Sequence, residues 1–122
     1  MKYDDLLEKV EERAGLADRG DAERTVAVVL QELLDRLNAK EGHDVLAQLP
    51  YQLKTSVVAT VAQVPLSRDE FVARVAQELG VPEQEARKRI RAVFGTLRDA
   101  VSWGELEDVL LELDPDYADL LA

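Results

Sequence analysis

The sequence predicts an all-α protein, a compact helical bundle made of two related repeats of three to four helices each. Apolar residues recur with the 3.6-residue period of a helix along most of the chain. One pattern of apolar and glycine positions occurs twice, with residue types that begin and end helices at matching places. We expect a pseudo-twofold axis to relate the two repeats, with the two long helices at the centre.

An internal duplication defines the repeats, at about 3–53 and 68–121 and connected by 54–67, within a single domain of 1–122. Up to about Asp21 the copies match at an offset of 65 residues, and after it at an offset of 64. Matched pairs of the first part are Asp4 with Asp69, Leu6 with Phe71, Val10 with Val75 and Gly15 with Gly80. Matched pairs of the second part include Val26 with Ile90, Leu30 with Phe94, Leu33 with Leu97, Glu41 with Glu105 and Asp44 with Asp108.

The first helix of each repeat carries a glycine stop signal. We expect a helix over 3–14 that ends at Gly15, because glycine suits the left-handed position after a helix. Leu16 can then fold back onto Val10. Gly80 and Val81 repeat this signal in the second copy.

The second helix is predicted over 21–37, where apolar positions fall at the spacing of one buried helix face. Its copy covers 82–101 and opens with Pro82 at a plausible first helical position. Three capping-box signals, in which a polar residue is followed three positions later by Glu, then mark helix starts. They are Asn38 with Glu41, Ser67 with Glu70, and Ser102 with Glu105.

The stretch 51–64 allows two interpretations. Val57, Val58, Val61 and Val64 fit a buried helix that begins after Pro50, although the Val and Thr content also suits a strand. We favour the helix, because a lone strand would have no partner in an otherwise helical chain. After Asp114 and Pro115, a last short helix carries three further apolar residues. These are Tyr117, Leu120 and Leu121.

The composition limits the classes of partner. The chain has 25 acidic and 15 basic residues, a net charge of −10 and no cysteine. This negative field repels polyanions, so we expect neither nucleic acid nor membrane as a partner. The beginning of the chain lacks the apolar segment of a secretory signal, and the absence of cysteine fits a reducing compartment. We therefore expect a cytoplasmic protein.

No residue pattern indicates catalysis, and we predict no catalytic residue, no metal site and no cofactor. His43 is the sole histidine, and it is expected to face solvent because Val45, Leu46 and Leu49 mark the buried face of its helix. The many carboxylates lack the spacing of a calcium loop, and one histidine cannot supply a di-metal bundle site. They are better explained as a solvated acidic surface.

Two features could form an interaction surface. The first is a basic stripe of Arg87, Arg91 and Arg98, which fall on one helix face and could meet a phosphate or an acidic partner. Glu83 and Glu85 stand close enough to pair with this basic run, so an ordinary salt-bridged surface is the competing interpretation. The second is Trp103, since tryptophan is enriched in interface hot spots. Its competing interpretation is a side chain that covers the edge of the core.

Because the sequence shows no catalytic, metal-binding or cofactor-binding pattern, we favour a non-catalytic protein-interaction or regulatory module. Such a module would bind an unknown protein partner or a second copy of itself. The alternative is a small-molecule-binding protein or enzyme with a pocket between the repeats. Arg87, Arg91 or His43 would give that pocket its polarity. A third interpretation, an acidic mimic or chaperone-like partner for basic proteins, predicts strong salt dependence.

One stretch, 92–106, resembles the signature of the prokaryotic domain of unknown function family 2267. It reads Ala-Val-Phe-Gly-Thr-Leu-Arg-Asp-Ala-Val-Ser-Trp-Gly-Glu-Leu. The segments 3–7, 47–50 and 116–120 are also similar to that family, so the resemblance covers nearly the whole chain. It implies a cytoplasmic helical bundle of two related halves in a bacterium or archaeon, and it implies no activity. The chain departs from the pattern at Trp103, where the family tends to have glycine, and at Asp114, where it often has proline.

Overall fold

The fold is seen in a computed structural model, which describes residues 1–58 and 63–122. Every regular element within these ranges is helical, so the predicted all-α class is confirmed. The α-helices are α1 (Tyr3–Ala14), α2 (Arg19–Asp35), α3 (Ala39–Ala47), α4 (Tyr51–Lys54), α5 (Arg68–Leu79), α6 (Glu83–Ala100), α7 (Gly104–Leu113) and α8 (Ala118–Leu121). A 3-10 helix, Pro115–Tyr117, precedes α8.

The glycine stop signals after α1 and α5 are confirmed. Gly15 and Gly80 adopt left-handed backbone angles, with φ of 66° and 68°. The N–H of Leu16 donates to the Glu11 carbonyl at 2.9 Å, and the N–H of Val81 donates to the Ala76 carbonyl at 3.0 Å. These bonds satisfy carbonyl groups that the helix end would leave without partners.

The long helices α2 and α6 lie at the centre of the packing. α6 packs against α1, α2, α5 and α8, and α2 also packs against α1 and α5. The start of α2 lies two residues before the predicted one, because the Asp18 side chain accepts a hydrogen bond from the N–H of Gly20 at 2.7 Å. Within the second part of the chain, the Phe71 ring lies 5.9 Å from Phe94 and 5.7 Å from Tyr117. These rings belong to the same buried cluster as Leu6 and Leu30, so a single core joins both parts of the chain.

Two of the three predicted capping boxes are confirmed, and one is wrong. Asn38 with Glu41 and Ser67 with Glu70 form both hydrogen bonds of the motif. At the start of α7 the cap position is held instead by Trp103, without a side-chain capping bond. The N–H of Ser102 donates to the Gln48 side chain at 2.8 Å, and this bond to the end of α3 replaces the predicted one.

The helix predicted over 51–64 is confirmed for Tyr51–Lys54 and is wrong for the described residues 55–58, 63 and 64. The hydroxyl groups of Thr55 and Ser56 both donate to the Gln52 carbonyl at 2.9 Å, and such side-chain bonds compete with helix continuation. Val58 is 75% exposed and its N–H donates to the Gln31 side chain. Val64, also exposed, donates its N–H to the Asp35 carbonyl. Residues 59–62, which include the predicted core residue Val61, lie outside the described residues.

The end of the described chain follows the prediction for Tyr117, Leu120 and Leu121, all of which are buried. The Asp114 side chain accepts from the N–H of Asp116 and starts the 3-10 helix. None of the helices in the described ranges has the length and apolar character that a bilayer crossing requires.

Candidate functional site

Trp103 lies in the core. Its side chain is only 6% exposed, and its ring centroid lies 5.5 Å from that of Phe94. The indole therefore covers the edge of the core at the start of α7 and offers little surface to a partner.

The predicted basic stripe on α6 is largely occupied by contacts within the chain. Arg91 donates from Nε to the Asp119 carbonyl at 3.0 Å and from Nη2 to the Asp119 carboxylate at 2.9 Å. Arg98 donates to the Leu121 carbonyl. Both arginines thus hold α8 against α6, whereas the half-buried Arg87 makes no such bond among the described residues. Arg91 and Arg98 therefore contact the same element, α8, and they anchor that helix to α6 within the chain.

The other cations near this stripe are also paired. Lys88 and Arg89 both contact Glu85, at 3.6 Å and 3.2 Å, as the sequence spacing indicates. Arg13 contacts Asp99 at 2.9 Å. A hollow between α1 and α6 has a volume of about 330 Å³. Its lining includes Arg13, Lys88, Arg91, Ala92, Gly95 and Ala122.

His43 is exposed, as expected, and lies on α3. Among residues 1–58 and 63–122, no group of three or more histidine or carboxylate side chains is placed to hold a metal ion. The many carboxylates of the chain therefore have to be judged by the surfaces that they form.

A groove between α3 and α7 brings together carboxylates from distant parts of the sequence. It consists of two adjoining hollows of about 350 Å³ and 310 Å³, which share Glu41, Asp44 and Glu105. One hollow extends to Gln48 and Ser102, and the other to Asn38, Asp108 and Val109. The beginning of α3 shares a hollow with Asp108 and Val109 of α7, and the end of α3 shares the other hollow with Ser102, so the two helices run antiparallel. We call this feature the α3–α7 groove.

The floor of the α3–α7 groove is apolar and its rims are acidic. Val45, Ala47, Leu106 and Val109 contribute the apolar surface. Glu41 is engaged by the capping box at the start of α3. In the part of the chain that the structure describes, no hydrogen bond or ion pair engages the side chains of Asp44, Glu105 and Asp108. Lys40 adds one positive charge at one end.

A second cluster of charged groups, which the sequence interpretation missed, lies between α2 and α5. Glu32 and Arg36 are 1% and 2% exposed, although both residue types are usually on the surface. Arg74 donates to the Glu32 carboxylate at 2.9 Å, and Arg36 lies 3.5 Å from it. Glu78, one turn after Arg74 on α5, interacts electrostatically with the same carboxylate. The available signal was the helical spacing, which places 25, 29, 32 and 36 on one face of α2.

The surroundings shift the pKa values of this cluster in opposite directions. Loss of water around the carboxyl, followed by the hydrogen bond and the negative charge of Glu32, raises the pKa of Glu78 to about 7. Burial acts to raise the pKa of Glu32 as well, but hydrogen bonds from Glu78 and Arg74 outweigh it and lower that pKa. Burial lowers the pKa of the Arg36 guanidinium.

Comparison with known proteins gives a family and no activity. No curated protein matches the chain. The family described as uncharacterised conserved protein, DUF2267, matches residues 3–120 of the 122. The stretch that resembles the family signature, 92–106, forms the end of α6, the buried Trp103 and the start of α7. The chain therefore belongs to the DUF2267 family.

Proposed function

We propose that the chain is a non-catalytic protein-interaction module, and that a basic segment of a partner protein binds in the α3–α7 groove. The observation that carries this proposal is that, within residues 1–58 and 63–122, the side chains of Asp44, Glu105 and Asp108 have no partner along an apolar floor. Most of the cations near the basic stripe are paired within the chain and offer little to a partner. The groove differs from the other acidic surfaces in that its carboxylates line two adjoining hollows with an apolar floor.

The charge and shape of the groove define the chemistry of the partner. A segment with Lys or Arg beside small apolar side chains would pair with the rims and cover Val45, Leu106 and Val109. The net charge of −10 would attract such a segment and speed its association. The same field disfavours nucleic acid and anionic membrane surfaces as partners. A cytoplasmic location is part of the proposal.

A pseudo-twofold relation between the repeats is also part of this proposal, and several contacts support it. The duplication matches α3 with α7, and Glu41 and Asp44 with Glu105 and Asp108, so the two walls of the groove would be equivalent. Thr25 and Arg89 occupy matched positions and lie 3.0 Å apart, as expected for residues near a twofold axis. Arg24 donates to the Glu78 carbonyl at the end of α5, and its match Lys88 lies beside Gly15 at the end of α1.

A charge-series binding experiment tests the proposed partner. A fluorescent helical peptide of Lys and Leu should bind with an affinity that falls as salt rises, and an acidic peptide of equal length should not bind. Asp44→Asn combined with Asp108→Asn should weaken binding by about threefold to tenfold, because each exposed pair contributes roughly 0.2–1 kcal/mol. Fluorescence anisotropy measures both effects.

The matched control removes the same number of charges elsewhere. Glu8→Gln combined with Glu12→Gln alters the exposed face of α1 and should reduce affinity much less than the groove variant. Equal losses in the two double variants would show general charge attraction and contradict a groove site. Absence of salt-dependent binding in the unmodified protein would contradict the interaction with a basic segment itself.

The rival function is a small-molecule-binding protein that uses the hollow between α1 and α6. The lining by Arg13, Lys88 and Arg91 favours an anionic ligand there. A thermal-shift screen with phosphate-bearing metabolites separates the two functions. A saturable rise in Tm that Lys88→Ala abolishes would favour the rival over the groove.

A further inference from the structure

The first turns of α3 and α7 are repeat matches, but one backbone N–H has a different acceptor in each. At α3, the N–H of Asn38 donates to the Glu41 carboxylate at 2.8 Å, and the N–H of Glu41 donates to the Asn38 side chain at 2.8 Å. At α7, the matched N–H of Ser102 donates instead to the side chain of Gln48 at 2.8 Å. The matched carboxylate, Glu105, has no hydrogen bond or ion pair within residues 1–58 and 63–122.

The Gln48 side chain is held at both of its polar atoms. Its Oε1 accepts from the Ser102 N–H, and its Nε2 donates to the Asp44 carbonyl at 3.0 Å, one turn earlier on the same wall. Only the oxygen of the amide can accept a hydrogen bond and only its NH₂ group can donate one, so the two bonds fix its orientation. Gln48 therefore bridges the two walls at the end of the α3–α7 groove where Ser102 lies.

This bridge determines what Glu105 can bind. Trp103 has helical backbone angles, with φ of −93° and ψ of −24°, and Glu105 stands three residues after Ser102, as a capping box requires. The box fails because Gln48 already accepts the single N–H that Glu105 would reach. Glu105 lines both hollows of the groove, and its carboxylate oxygens are available to a ligand.

We propose that Gln48 is a positioning residue of the α3–α7 groove, which keeps Glu105 out of a capping box and available to the cationic segment. This inference rests on the proposed function of the groove. Without the bridge, Glu105 would turn back to the Ser102 N–H, as Glu41 does to Asn38. One of its oxygens would then be engaged within α7, and the groove would lose part of its acidic rim.

Amide NMR tests the exchange of hydrogen-bond partners without any ligand. An N–H that donates to a carboxylate should change its chemical shift strongly between about pH 6 and pH 3, as acid protonates that group. In the unmodified protein, the N–H groups of Asn38 and Ser67, which donate to glutamates, should show this change and that of Ser102 should not.

The same measurement on two variants identifies the new partner. In Gln48→Ala the Ser102 N–H should gain the acid-dependent shift, and the further change Glu105→Gln should remove it again. An acid-dependent Ser102 N–H in the unmodified protein would overturn the proposal. A Ser102 N–H that remains independent of pH in Gln48→Ala would overturn it as well.

Binding of the Lys and Leu peptide gives the functional readout. Gln48→Ala removes no charge, yet it should weaken binding by about twofold to fivefold, the loss expected for one exposed ion pair. Glu105→Gln should cause a loss of the same size. The double variant should bind no more weakly than Glu105→Gln alone, because both changes remove the same contact. Additive losses would mean that Gln48 acts independently of Glu105, and would overturn its positioning role.

A conservative variant and a matched control complete the series. Gln48→Glu keeps an acceptor oxygen for the Ser102 N–H and introduces the residue of the matched position, Glu112. It should bind the peptide at least as tightly as the unmodified protein, and a loss equal to that of Gln48→Ala would contradict the inference. Gln77→Ala makes the same truncation on the exposed face of α5 and should change neither the affinity nor the Ser102 N–H.

Failure of this inference and failure of the proposed function give different results. If the unmodified protein binds no cationic peptide, the proposed function is contradicted, and the role of Gln48 in ligand binding is contradicted with it. If the peptide binds and Gln48→Ala leaves its affinity unchanged, the proposed function stands and the positioning role of Gln48 is overturned.

Discussion

At the scale of one residue, Arg89 belongs to the basic run of α6 in the sequence, but its side chain has a structural role in the fold. Its side chain is 9% exposed, and its guanidinium donates to Asp21 at 2.8 Å and 3.1 Å, to Glu85 at 3.2 Å and to Thr25 at 3.0 Å. It therefore ties α6 to α2, whereas the neighbouring Lys88 is half exposed and has one distant partner.

Replacing Arg89 should be far more costly than replacing Lys88. We expect Arg89→Ala to lower the free energy of unfolding by about 2–4 kcal/mol, because the partly buried Asp21 and the buried Thr25 lose their donor. Lys88→Ala shares the partner Glu85 and should cost less than about 1 kcal/mol. Urea denaturation of both variants measures the difference, and similar losses would mean that Arg89 is only a surface charge.

At the scale of the helix, local stop and start signals were the most predictable feature. The bounds of α1 and the glycine ends of α1 and α5 follow from the sequence, because each depends on residues within one turn of the helix end. The Ser102 signal fails because a distant side chain, Gln48, takes the N–H that the capping box would use. The helix predicted from Tyr51 stops at Lys54, because the hydroxyl groups of Thr55 and Ser56 bond to the Gln52 carbonyl, and the distant Gln31 then accepts the Val58 N–H.

The working and the failed capping signals make a direct comparison possible. Asn38→Ala should lower the free energy of unfolding by about 1 kcal/mol, because it removes the bond to the N–H of Glu41 at 2.8 Å. Ser102→Ala should change it by less than about 0.5 kcal/mol, since the Ser102 side chain makes no capping bond. Thermal and urea unfolding should separate the two. A loss at Ser102 as large as that at Asn38 would contradict the observed start of α7.

At the scale of the whole molecule, the single core could be predicted and the candidate sites could not. The apolar periodicity places most of the core residues correctly, because burial of one helix face depends mainly on spacing, but it misses Leu34 and Val72 and wrongly buries Val58 and Val64. The α3–α7 groove and the Glu32–Arg74 pair each join residues that are more than 40 positions apart. Their meeting depends on how helices cross, which the periodicity does not specify. For the same reason, the predicted surface arginines became anchors for α8.

The anchoring of α8 predicts that the last residues are essential for folding. Tyr117, Leu120 and Leu121 are at most 4% exposed, and burial of each such side chain contributes roughly 1.5–3 kcal/mol. Their sum approaches the total stability of an ordinary domain. A chain that ends at Asp114 should therefore lose its cooperative thermal transition in circular dichroism. A chain without the exposed Met1 and Lys2 should keep it, and a folded truncated chain would contradict the proposed role of α8.

The antiparallel walls of the α3–α7 groove have one more consequence. Going from Asn38 to Gln48 along one wall, a ligand passes Glu41 and then Asp44, and it meets Glu105 and Asp108 in the reverse order on the other wall. If an extended ligand is turned end for end, the two walls exchange places, and the ligand meets almost the same order of charges in both orientations. Electrostatics in this groove can select a cationic chain, but the direction in which that chain lies has to be set by the few positions where the two walls differ, of which Lys40, matched by Gly104 in the other repeat, is the clearest.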